Sequence, residues 1–443
     1  MTLKMAPHVH IETFGCQMNE SDSELIRSML KREGFVFTED RERADVVLVN
    51  TCAIRENAHK KIYIHLSELK AIKKQRPLVV GILGCMAQNL KSELAEKEPL
   101  IDVLAGPDAY RQLPSLLVTA LNEQEQGVSQ KGFALDLSEY ETYEGILPDR
   151  NSGVNAWITV MRGCDNFCSF CVVPYTRGRE RSRDPESILF EARDASTRGF
   201  KQITLLGQNV NSYRHEGWDF AKLIAAVADT PGIDRVRFTS PHPKDFPPAL
   251  IDAIATHPKI CKHIHLPLQA GSDRILELMG RTYTGAEYLA LVDRIRSRIP
   301  DIVLTTDIIC GFCSESEEDF QTTHRIIEQT QLDSAYIFKY SERKHTIAAR
   351  KYADDVSDRV KGMRVAQLLE TQRRITLERN RRYIGKAMQV LVERDATRSS
   401  TQAMGKTDGN ITVIWEKGTD HFRPGTLITK QIFDASAATL YGK

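Results

Sequence analysis

Two nearly continuous apolar runs in the first third of the chain constrain the fold most. Residues 45–50 read Asp-Val-Val-Leu-Val-Asn, and residues 78–83 read Leu-Val-Val-Gly-Ile-Leu. Runs without alternating polar positions are typical of parallel strands that are buried on both faces. Helical patterns separate them, and a strand–helix–strand order requires an open sheet covered by helices. The sequence therefore predicts an α/β fold here.

The length of 443 residues is enough for about three domains. We expect an open α/β domain over 1–140, followed by an acidic, aperiodic linker around 136–144. A middle domain over 146–382 has a repeated strand–helix pattern, which predicts a partial (β/α)6 barrel. Its expected strands are 156–161, 202–206, 235–238, 263–268, 302–306 and 335–338.

The last segment has a different character. A long helical pattern runs from Ser357 to Arg382. Short strand-like runs separated by glycine turns follow it, at 388–393, 411–415 and 427–433. They predict a small β-barrel or sandwich over 383–443.

Bulk composition limits the cellular setting. The net charge is +1, so the whole molecule does not attract nucleic acid electrostatically. No run approaches the ~18 apolar residues that a membrane span needs, and the N-terminus lacks the apolar core of a secretory signal. We expect a cytoplasmic monomer that contacts no membrane. Its nine cysteines are then poor candidates for disulfides, and clustered cysteines indicate metal ligation.

Cys164, Cys168 and Cys171 form a CxxxCxxC motif just after the first strand of the middle domain. We call them the central triad. Three soft thiolates on one loop suit a [4Fe–4S] cluster whose fourth iron stays open. An open iron can bind S-adenosylmethionine (SAM) and reduce it to a 5′-deoxyadenosyl radical, which abstracts hydrogen from inert carbon. The alternatives are buried thiols or a zinc site, and zinc normally requires a second cysteine pair that the nearby sequence lacks.

A second group of cysteines, the N-terminal triad, consists of Cys16, Cys52 and Cys85. They are far apart in the sequence, but each follows a predicted strand or its terminating turn. Loops at the carboxyl ends of parallel strands converge at one edge of a sheet, so these thiols can meet. Gly15 and Gly84 would let the backbone approach a bulky cluster. The residues alone leave a second cluster and three independent buried thiols equally open.

The two triads in this order, with a β-rich C-terminal domain, resemble the methylthiotransferase family of radical SAM enzymes over essentially the whole chain. The segment Thr13-Phe-Gly-Cys-Gln-Met-Asn19 is especially specific. Two further segments, Cys-Val-Val-Pro-Tyr-Thr-Arg-Gly at 171–178 and Leu-Leu-Gly-Gln-Asn-Val-Asn at 205–211, resemble the branch that modifies isopentenylated adenosine in tRNA. The branches that act on threonylcarbamoyl-adenosine in tRNA or on a ribosomal protein differ most in these stretches.

The resemblance implies a function for each triad. The N-terminal triad would hold an auxiliary [4Fe–4S] cluster, the source of sulfur, and one SAM would methylate a sulfur bound to it. A second SAM would be cleaved at the central triad, and its radical would take hydrogen from C2 of the isopentenylated adenine at tRNA position 37. The carbon radical would then capture the methylated sulfur. An electron donor such as flavodoxin or ferredoxin would supply the electron.

Four residues match positions at which the family contacts SAM. Phe170 precedes the last central cysteine and would pack against SAM, and Gln208 follows the second strand, near the methionine end. Gln269 and Asp307, at later strand ends, would contact the ribose or the amino group. Ordinary loop polarity is the alternative for each polar residue.

Two loops depart from the family pattern. The usual Gly-Phe-Pro-Gly-Glu is replaced by Gly-Phe-Cys-Ser-Glu at 311–315, so Cys310 and Cys313 form an extra CxxC. It could bind metal or cycle between thiol and disulfide, but it lacks a second pair, and we interpret it as two substituted loop positions. Lys344 and His345 stand where the family has Pro-Gly or a similar small pair.

Residues 372–386 are strongly basic in a molecule of net charge +1. Apart from Glu378, the charged residues are all basic: Arg373, Arg374, Arg379, Arg381, Arg382 and Lys386. The following segment, 387–443, resembles the family's RNA-binding TRAM domain. We therefore expect contact with the tRNA anticodon stem-loop that carries isopentenyladenosine, whose target base must flip out. A solvated helix face is the alternative.

Three rival functions make different predictions. A methylthiotransferase for threonylcarbamoyl-adenosine tRNA or for a ribosomal protein would use the same triads on another substrate. A non-catalytic iron–sulfur RNA-binding protein would neither bind nor cleave SAM. A zinc-stabilised RNA-binding protein would be colourless when purified.

Overall fold

The computed structural model describes residues 6–53, 56–127, 130–150, 153–397, 399–418 and 422–443. Two compact units are present. The first unit comprises Met1–Asn151, Met161–Arg183 and Arg343–Ile347, and the second comprises Ser152–Val160, Asp184–Glu342 and Ala348–Lys443. Residues of one unit are close in space, which does not show that the unit folds independently. The domain boundaries at 140 and 382 therefore stay predictions.

The first unit is built on a parallel sheet with helices on both faces. Its strands are β1 (His8–Phe14), β2 (Val36–Phe37), β3 (Val46–Thr51), β4 (Val79–Gly84), β5 (Val103–Ala105) and β6 (Gly132–Ala134). Its helices are α1 (Gln17–Arg32), α2 (Glu56–Gln75), α3 (Cys85–Lys97) and α4 (Leu113–Glu125). The strand order is β2-β1-β3-β4-β5-β6, and β3 and β4 are buried at every position, as their apolar runs predict.

Alternating side chains of the central strands fill two hydrophobic cores. Val46 and Leu48 of β3 pack with residues of α1 and α4 on one face of the sheet. Val47 and Val49 pack with residues of α2 and α3 on the other face. Each such side chain contributes about 1.5–3 kcal/mol when it is fully buried. Burial on both faces explains why the runs contain no alternating polar positions.

After β6 the chain forms β7 (Asn155–Thr159) of the second unit and then a short ladder of the first. This ladder pairs β8 (Met161–Arg162) with β9 (Arg181–Ser182) in antiparallel register. The intervening loop contains the central triad and α5 (Val173–Arg177).

The second unit contains a series of parallel strands flanked by helices. After β7 come β10 (Gln202–Leu206), β11 (Arg214–His215), β12 (Trp218–Asp219), β13 (Arg235–Phe238), β14 (His263–His265), β15 (Val303–Cys310) and β16 (Ser334–Lys339). The helices are α6 (Pro185–Thr197), α7 (Phe220–Ala228), α8 (Pro248–Thr256), α9 (Asp273–Leu278), α10 (Gly285–Arg298), α11 (Glu317–Thr330), α12 (Ile347–Lys351) and α13 (Asp358–Arg381).

The six main strands follow one another in chain order. β7, β10 and β13 form one parallel sheet, and β14, β15 and β16 form another. A parallel bridge between Val236 and Ile260 joins the two sheets just before β14. This arrangement confirms the predicted partial (β/α)6 barrel.

The long helix and the C-terminal barrel complete the second unit. Ser357 caps α13 by accepting a hydrogen bond from the Val360 amide, so the helix begins where the sequence predicts. A closed barrel follows, in the order β17-β18-β19-β21-β20. Its strands are β17 (Ala387–Asp395), β18 (Gln402–Thr407), β19 (Thr412–Glu416), β20 (Leu427–Ala435) and β21 (Thr439–Gly442). The structure thus has a barrel and not a sandwich.

Two arginines of β13 attach the barrel to the strands of the second unit. Arg235 donates hydrogen bonds to the main-chain carbonyls of Lys406 (2.6 Å) and Gln389 (3.1 Å). Arg237 donates to those of Asp408 (2.8 Å) and Thr407 (2.7 Å). These four acceptors all belong to the barrel backbone, and Arg237 also donates to the Gln202 side chain of β10 at 3.1 Å. Throughout the described ranges, no helix is long and apolar enough to cross a membrane.

Candidate functional site

The N-terminal triad lies at the carboxyl edge of the first unit's sheet. Cys16, Cys52 and Cys85 follow β1, β3 and β4, which are neighbours in the sheet. The parallel register aligns Phe14 with Thr51 and Thr51 with Gly84. The three chain segments therefore leave the sheet side by side. The Cys16 and Cys52 side chains are hydrogen-bonded, and Cys85 is close enough to Cys16 to interact with it electrostatically.

Two buried asparagines hold the loops of this triad in place. The Asn19 side chain donates to Asn50 Oδ1 at 3.0 Å, and the Asn50 side chain donates to the Asn19 carbonyl at 2.9 Å. Asn19 Oδ1 also accepts a hydrogen bond from the Cys16 amide at 3.3 Å. Because buried amides must be hydrogen-bonded, these exchanged bonds fix the Cys16 loop relative to the end of β3.

The glycines beside the cysteines make room for these asparagines. A Cβ on Gly15 would lie 2.3 Å from Asn19 Oδ1, and one on Gly84 would lie 2.5 Å from Asn50 Oδ1. Gly84 also has φ +86°, a conformation that side chains disfavour. The structure therefore requires glycine at both positions mainly because amide side chains occupy the space of a Cβ. The close approach of a cluster stays a prediction.

The thiols of this triad have unequal acidity. A hydrogen bond from Cys52, assisted by the Arg177 guanidinium, lowers the pKa of Cys16 to about 6 against the effect of burial. Burial raises the pKa of Cys85, and Arg177 opposes that change. Cys16 is thus stabilised as a thiolate at neutral pH, and the thiolate is the form that binds metal.

The central triad lies on the loop that the β8–β9 ladder closes. The Cys164 amide donates to the Gly178 carbonyl at 3.1 Å, and the Cys171 amide donates to the Cys168 carbonyl at 2.9 Å. Cys164 and Cys168 are buried, whereas Cys171 and the predicted SAM contact Phe170 are half-buried. Burial raises the pKa of Cys164 to about 11.

Helix α5 connects the two triads within the first unit. Val172, which follows Cys171 directly, packs against Cys85 and Ala53 in one small apolar cluster. Arg177, at the end of α5, donates from Nε to Cys85 Sγ at 3.2 Å. The loop that carries the central triad therefore also contacts the N-terminal triad.

The donor sets fit iron–sulfur clusters in their chemistry. Each triad offers three thiols, and no disulfide links the cysteines, all of which the structure describes. Among the described residues, no group of three or more His, Cys, Asp or Glu is arranged to hold a single metal ion. The thiolates of a four-iron cluster bind different irons and do not have to converge on one point. The residues present are compatible with such a cluster at both places.

The second unit carries three of the predicted SAM contacts. Gln208 follows β10, and Gln269 follows β14 with φ +69°. The buried Oε1 atoms of both glutamines have no hydrogen-bond partner among the described residues, as expected of groups that await a ligand. Asp307 does not lie at a strand end as predicted, because β15 continues to Cys310 through its pairing with β16. Its carboxylate lies 3.1 Å from His265 Nε2.

The predicted RNA-binding residues fall into two groups. Arg373, Arg374, Arg381 and Lys386 are exposed, although Arg374 pairs with Glu328 and Glu378. Arg379 and Arg382 are partly buried and both bind Asp333, at 3.0 and 2.8 Å. The second group therefore also neutralises a buried carboxylate.

The two loops that depart from the family pattern contain left-handed residues. Ser314 and His345 have φ +60° and +71°, which explains the glycine that the family usually has there. Each non-glycine residue costs about 1–2 kcal/mol in this conformation. Cys310 packs into the hydrophobic core with Ile308 and Phe320, and burial raises its thiol pKa and that of Cys313. These surroundings favour substituted loop positions over a reactive pair.

Sequence reasoning missed several polar residues around the N-terminal triad. Asp22 is fully buried and binds Arg162 and Arg177, and the amides of Asn19 and Asn50 were not singled out. Buried charges inside a helix and a short strand have no periodic signature. One signal was available in the sequence. Asn19 lies in the segment 13–19 around Cys16, and Arg177 lies in the segment 171–178 that begins at Cys171.

Comparisons with known proteins agree with this geometry. Residues 8–106 match the model of the Uncharacterized protein family UPF0004, and residues 158–327 match that of the Radical SAM superfamily. The radical S-adenosylmethionine methyltransferase TsrM from Kitasatospora setae, with cobalamin and a [4Fe–4S] cluster bound, has a similar fold. The TM-score is 0.61 at 15% identity, over 78% of this chain and 77% of that one.

Curated relatives are similar over nearly the whole length. The tRNA-2-methylthio-N(6)-dimethylallyladenosine synthase of Porphyromonas gingivalis is 47% identical over 99% of this chain and 95% of its own. The protein of the same name from Prosthecochloris aestuarii is 45% identical over 99% of this chain and 98% of its own. The resemblance inferred from the cysteine motifs is confirmed, and the chain belongs to the tRNA-2-methylthio-N(6)-dimethylallyladenosine synthase family of radical SAM methylthiotransferases.

Proposed function

We propose that this chain methylthiolates N6-isopentenyladenosine at position 37 of tRNA, at C2 of the adenine. The observation that carries the proposal is the presence of two cysteine triads in one compact unit, joined by α5. When bound, a [4Fe–4S] cluster at the central triad supplies one electron and an open iron to SAM, and one at the N-terminal triad supplies sulfur. A single iron–sulfur RNA-binding site would not need both.

The chain's own residues provide binding and orientation. Cys164, Cys168 and Cys171 hold the cluster at which SAM is cleaved, on a loop closed by two main-chain hydrogen bonds. In the second unit, the Oε1 atoms of Gln208 and Gln269 have no hydrogen-bond partner within the part of the chain that the structure describes, and they are available to polar groups of SAM. Fixed positions of this kind lower the entropic cost of bringing a radical and an inert carbon together.

The N-terminal triad has a separate task. Cys16, Cys52 and Cys85 present their sulfur atoms at the sheet edge, and Asn19 and Asn50 keep their loops in register. A cluster held there can be loaded or lost without removing any ligand of the central triad. The two chemical steps, SAM cleavage and sulfur insertion, are therefore separable by mutation.

The barrel and the exposed basic residues at the end of α13 form the RNA-binding surface in this proposal. Anticodon-loop bases are unpaired, so flipping the target base costs less there than in a duplex. The expected partners are the anticodon stem-loop with isopentenyladenosine and a flavodoxin or ferredoxin as electron donor. We place the protein in the cytoplasm, where tRNA is modified, and we expect it to act as a monomer.

The first experiment measures metal and products together. After anaerobic purification and reconstitution, we expect about eight irons per chain, the sum of two four-iron clusters. With isopentenylated tRNA and SAM, both 5′-deoxyadenosine and a methylthiolated nucleoside should form, and tRNA without the isopentenyl group should give no methylthiolated nucleoside.

Each rival function gives a different result in this assay. About four irons, or SAM cleavage without the thiolated nucleoside, would mean that the N-terminal triad or the substrate is misassigned. Product formation only with threonylcarbamoyl-adenosine tRNA or a ribosomal protein would assign the chain to that substrate. Bound zinc without colour would indicate a structural metal site.

Charge reversal of the exposed basic residues tests the RNA surface. Replacing Arg373, Arg381 and Lys386 with glutamate should weaken tRNA binding about tenfold or more at low salt. A plot of log affinity against log salt should become less steep by about 2, because three phosphate contacts are lost and each contributes about 0.7 to the steepness for single-stranded RNA. Filter binding at several salt concentrations measures both quantities.

A matched control has the same change in charge elsewhere. Arg294, Arg325 and Arg359 are exposed on other parts of the second unit, and their triple replacement with glutamate should leave the slope unchanged. Arg379 and Arg382 are unsuitable for this test, because losing them would leave the buried Asp333 unpaired and cost about 3–5 kcal/mol of stability. Equal binding by the two triple variants would remove the case for this surface.

A further inference from the structure

A buried group of charges lies beside the N-terminal triad. Asp22 of α1 is fully buried, and its two carboxylate oxygens accept hydrogen bonds from Arg162 and Arg177, each at 2.7 Å. One carboxylate between two guanidinium groups leaves an excess positive charge in the interior. Because an uncompensated buried charge is costly, this arrangement calls for a nearby anion.

The thiolates of the triad are in the right place to be that anion. Arg177 donates from Nε to Cys85 Sγ at 3.2 Å while its Nη2 binds Asp22. Arg162 is differently placed, since its guanidinium lies over the Tyr143 ring, 4.6 Å from the centroid. Both Arg177 and Cys85 are almost completely buried, so water does not screen their interaction. Of the two arginines, Arg177 is thus the one that reaches a cysteine sulfur.

We propose that Arg177 is a positioning residue that raises the reduction potential of the iron–sulfur cluster held by Cys16, Cys52 and Cys85. The proposal rests on the function proposed above, which assigns a cluster to this triad. Reduction makes a cluster more negative, so a positive charge and a hydrogen bond to a ligand sulfur favour the reduced form. Since Arg177 belongs to the loop of the central triad, that loop holds one site and tunes the other.

The test replaces Arg177 with methionine in a full-length chain whose central cysteines are alanine, so that only the N-terminal cluster gives a signal. Methionine is nearly as long but uncharged, and it leaves Asp22 paired one-to-one with Arg162. Redox titration followed by electron paramagnetic resonance should show a lower midpoint potential. We expect at least a tenfold change in the reduction equilibrium, which is about 59 mV for a one-electron couple.

Two further variants separate electrostatics from structural damage. Arg181→Lys is the matched control, because Arg181 is buried in β9 at the end of the same loop, binds Asp108 at 2.8 Å and no cysteine, and a lysine keeps Asp108 paired. Its midpoint potential should equal that of the parent. Arg177→Lys keeps the charge without the Nε donor and should give an intermediate potential. If the methionine variant retains no iron, the lysine variant carries the test and must still have a lower potential than the parent.

The outcomes distinguish this proposal from the function on which it rests. Four irons bound with the same potential in the parent, Arg177→Met and Arg177→Lys would overturn the role of Arg177 alone. Equal shifts in Arg177→Lys and Arg181→Lys would also overturn it, because a general effect of replacing a buried guanidinium group would then suffice. A parent chain that binds no iron would overturn the cluster assignment itself.

Discussion

Replacing Cys168 with alanine should abolish SAM cleavage. The central loop offers three cysteine ligands to a cluster, and a buried alanine cannot replace one of them. Loss of a residue that merely supports a metal ligand commonly costs 10–100-fold in affinity or activity, so loss of the ligand should cost more than about 100-fold. The measurement is the yield of 5′-deoxyadenosine under reducing, anaerobic conditions, together with iron per chain.

Cys261→Ala is the matched control for this change. Cys261 is as deeply buried as Cys168, but it lies in the second unit and has no predicted role. The control should keep its iron and its cleavage activity. Cleavage by the Cys168 variant at the level of this control would remove the central triad from the mechanism.

Replacing Cys52 with alanine should separate the two halves of the reaction. We expect 5′-deoxyadenosine to form at a rate within a few-fold of the unmodified chain, while the methylthiolated nucleoside falls by more than about 100-fold. The reason is structural, because Cys52 follows β3 and is not on the central loop. Iron should fall from about eight to about four per chain. Quantifying both products in one reaction checks the prediction.

Cys313→Ala provides the control for the loss of a buried thiol. Cys313 is buried in the second unit, and its replacement should leave both products unchanged. Sulfur insertion by the Cys52 variant would contradict the auxiliary cluster. Loss of SAM cleavage along with sulfur insertion would show that the two sites do not work independently.

The sequence predicted the positions of the cysteines because strand ends are easy to recognise. Apolar runs located β3 and β4, and parallel strands place their carboxyl ends along one edge, so the meeting of Cys52 and Cys85 follows from topology. The central triad needed only its own spacing. The helix that ends at Arg381 was recognisable from its serine cap and its length.

Other features could not be predicted because they depend on long-range contacts. The helix that follows Cys16 begins at Gln17, and its capping box is formed by Cys16 and Asn19. Strands β18 and β21 were missed, since residues 402–407 contain few β-branched side chains and only the closed barrel defines them. The buried pairing of Asp22 with Arg177 joins residues that are far apart in the chain.

The attachment of the barrel through its backbone has an evolutionary consequence. Arg235 and Arg237 bind carbonyl oxygens, which every amino acid possesses, at positions 389 and 406–408. Substitutions at these positions leave the docking acceptors in place as long as the strands keep their register. Asp408 is the exception, because its carboxylate also accepts a hydrogen bond from the Lys262 amide at 3.1 Å. At the other positions the barrel side chains are free to diverge between lineages, so the ligand preference of the barrel can change while its attachment to the enzyme is kept.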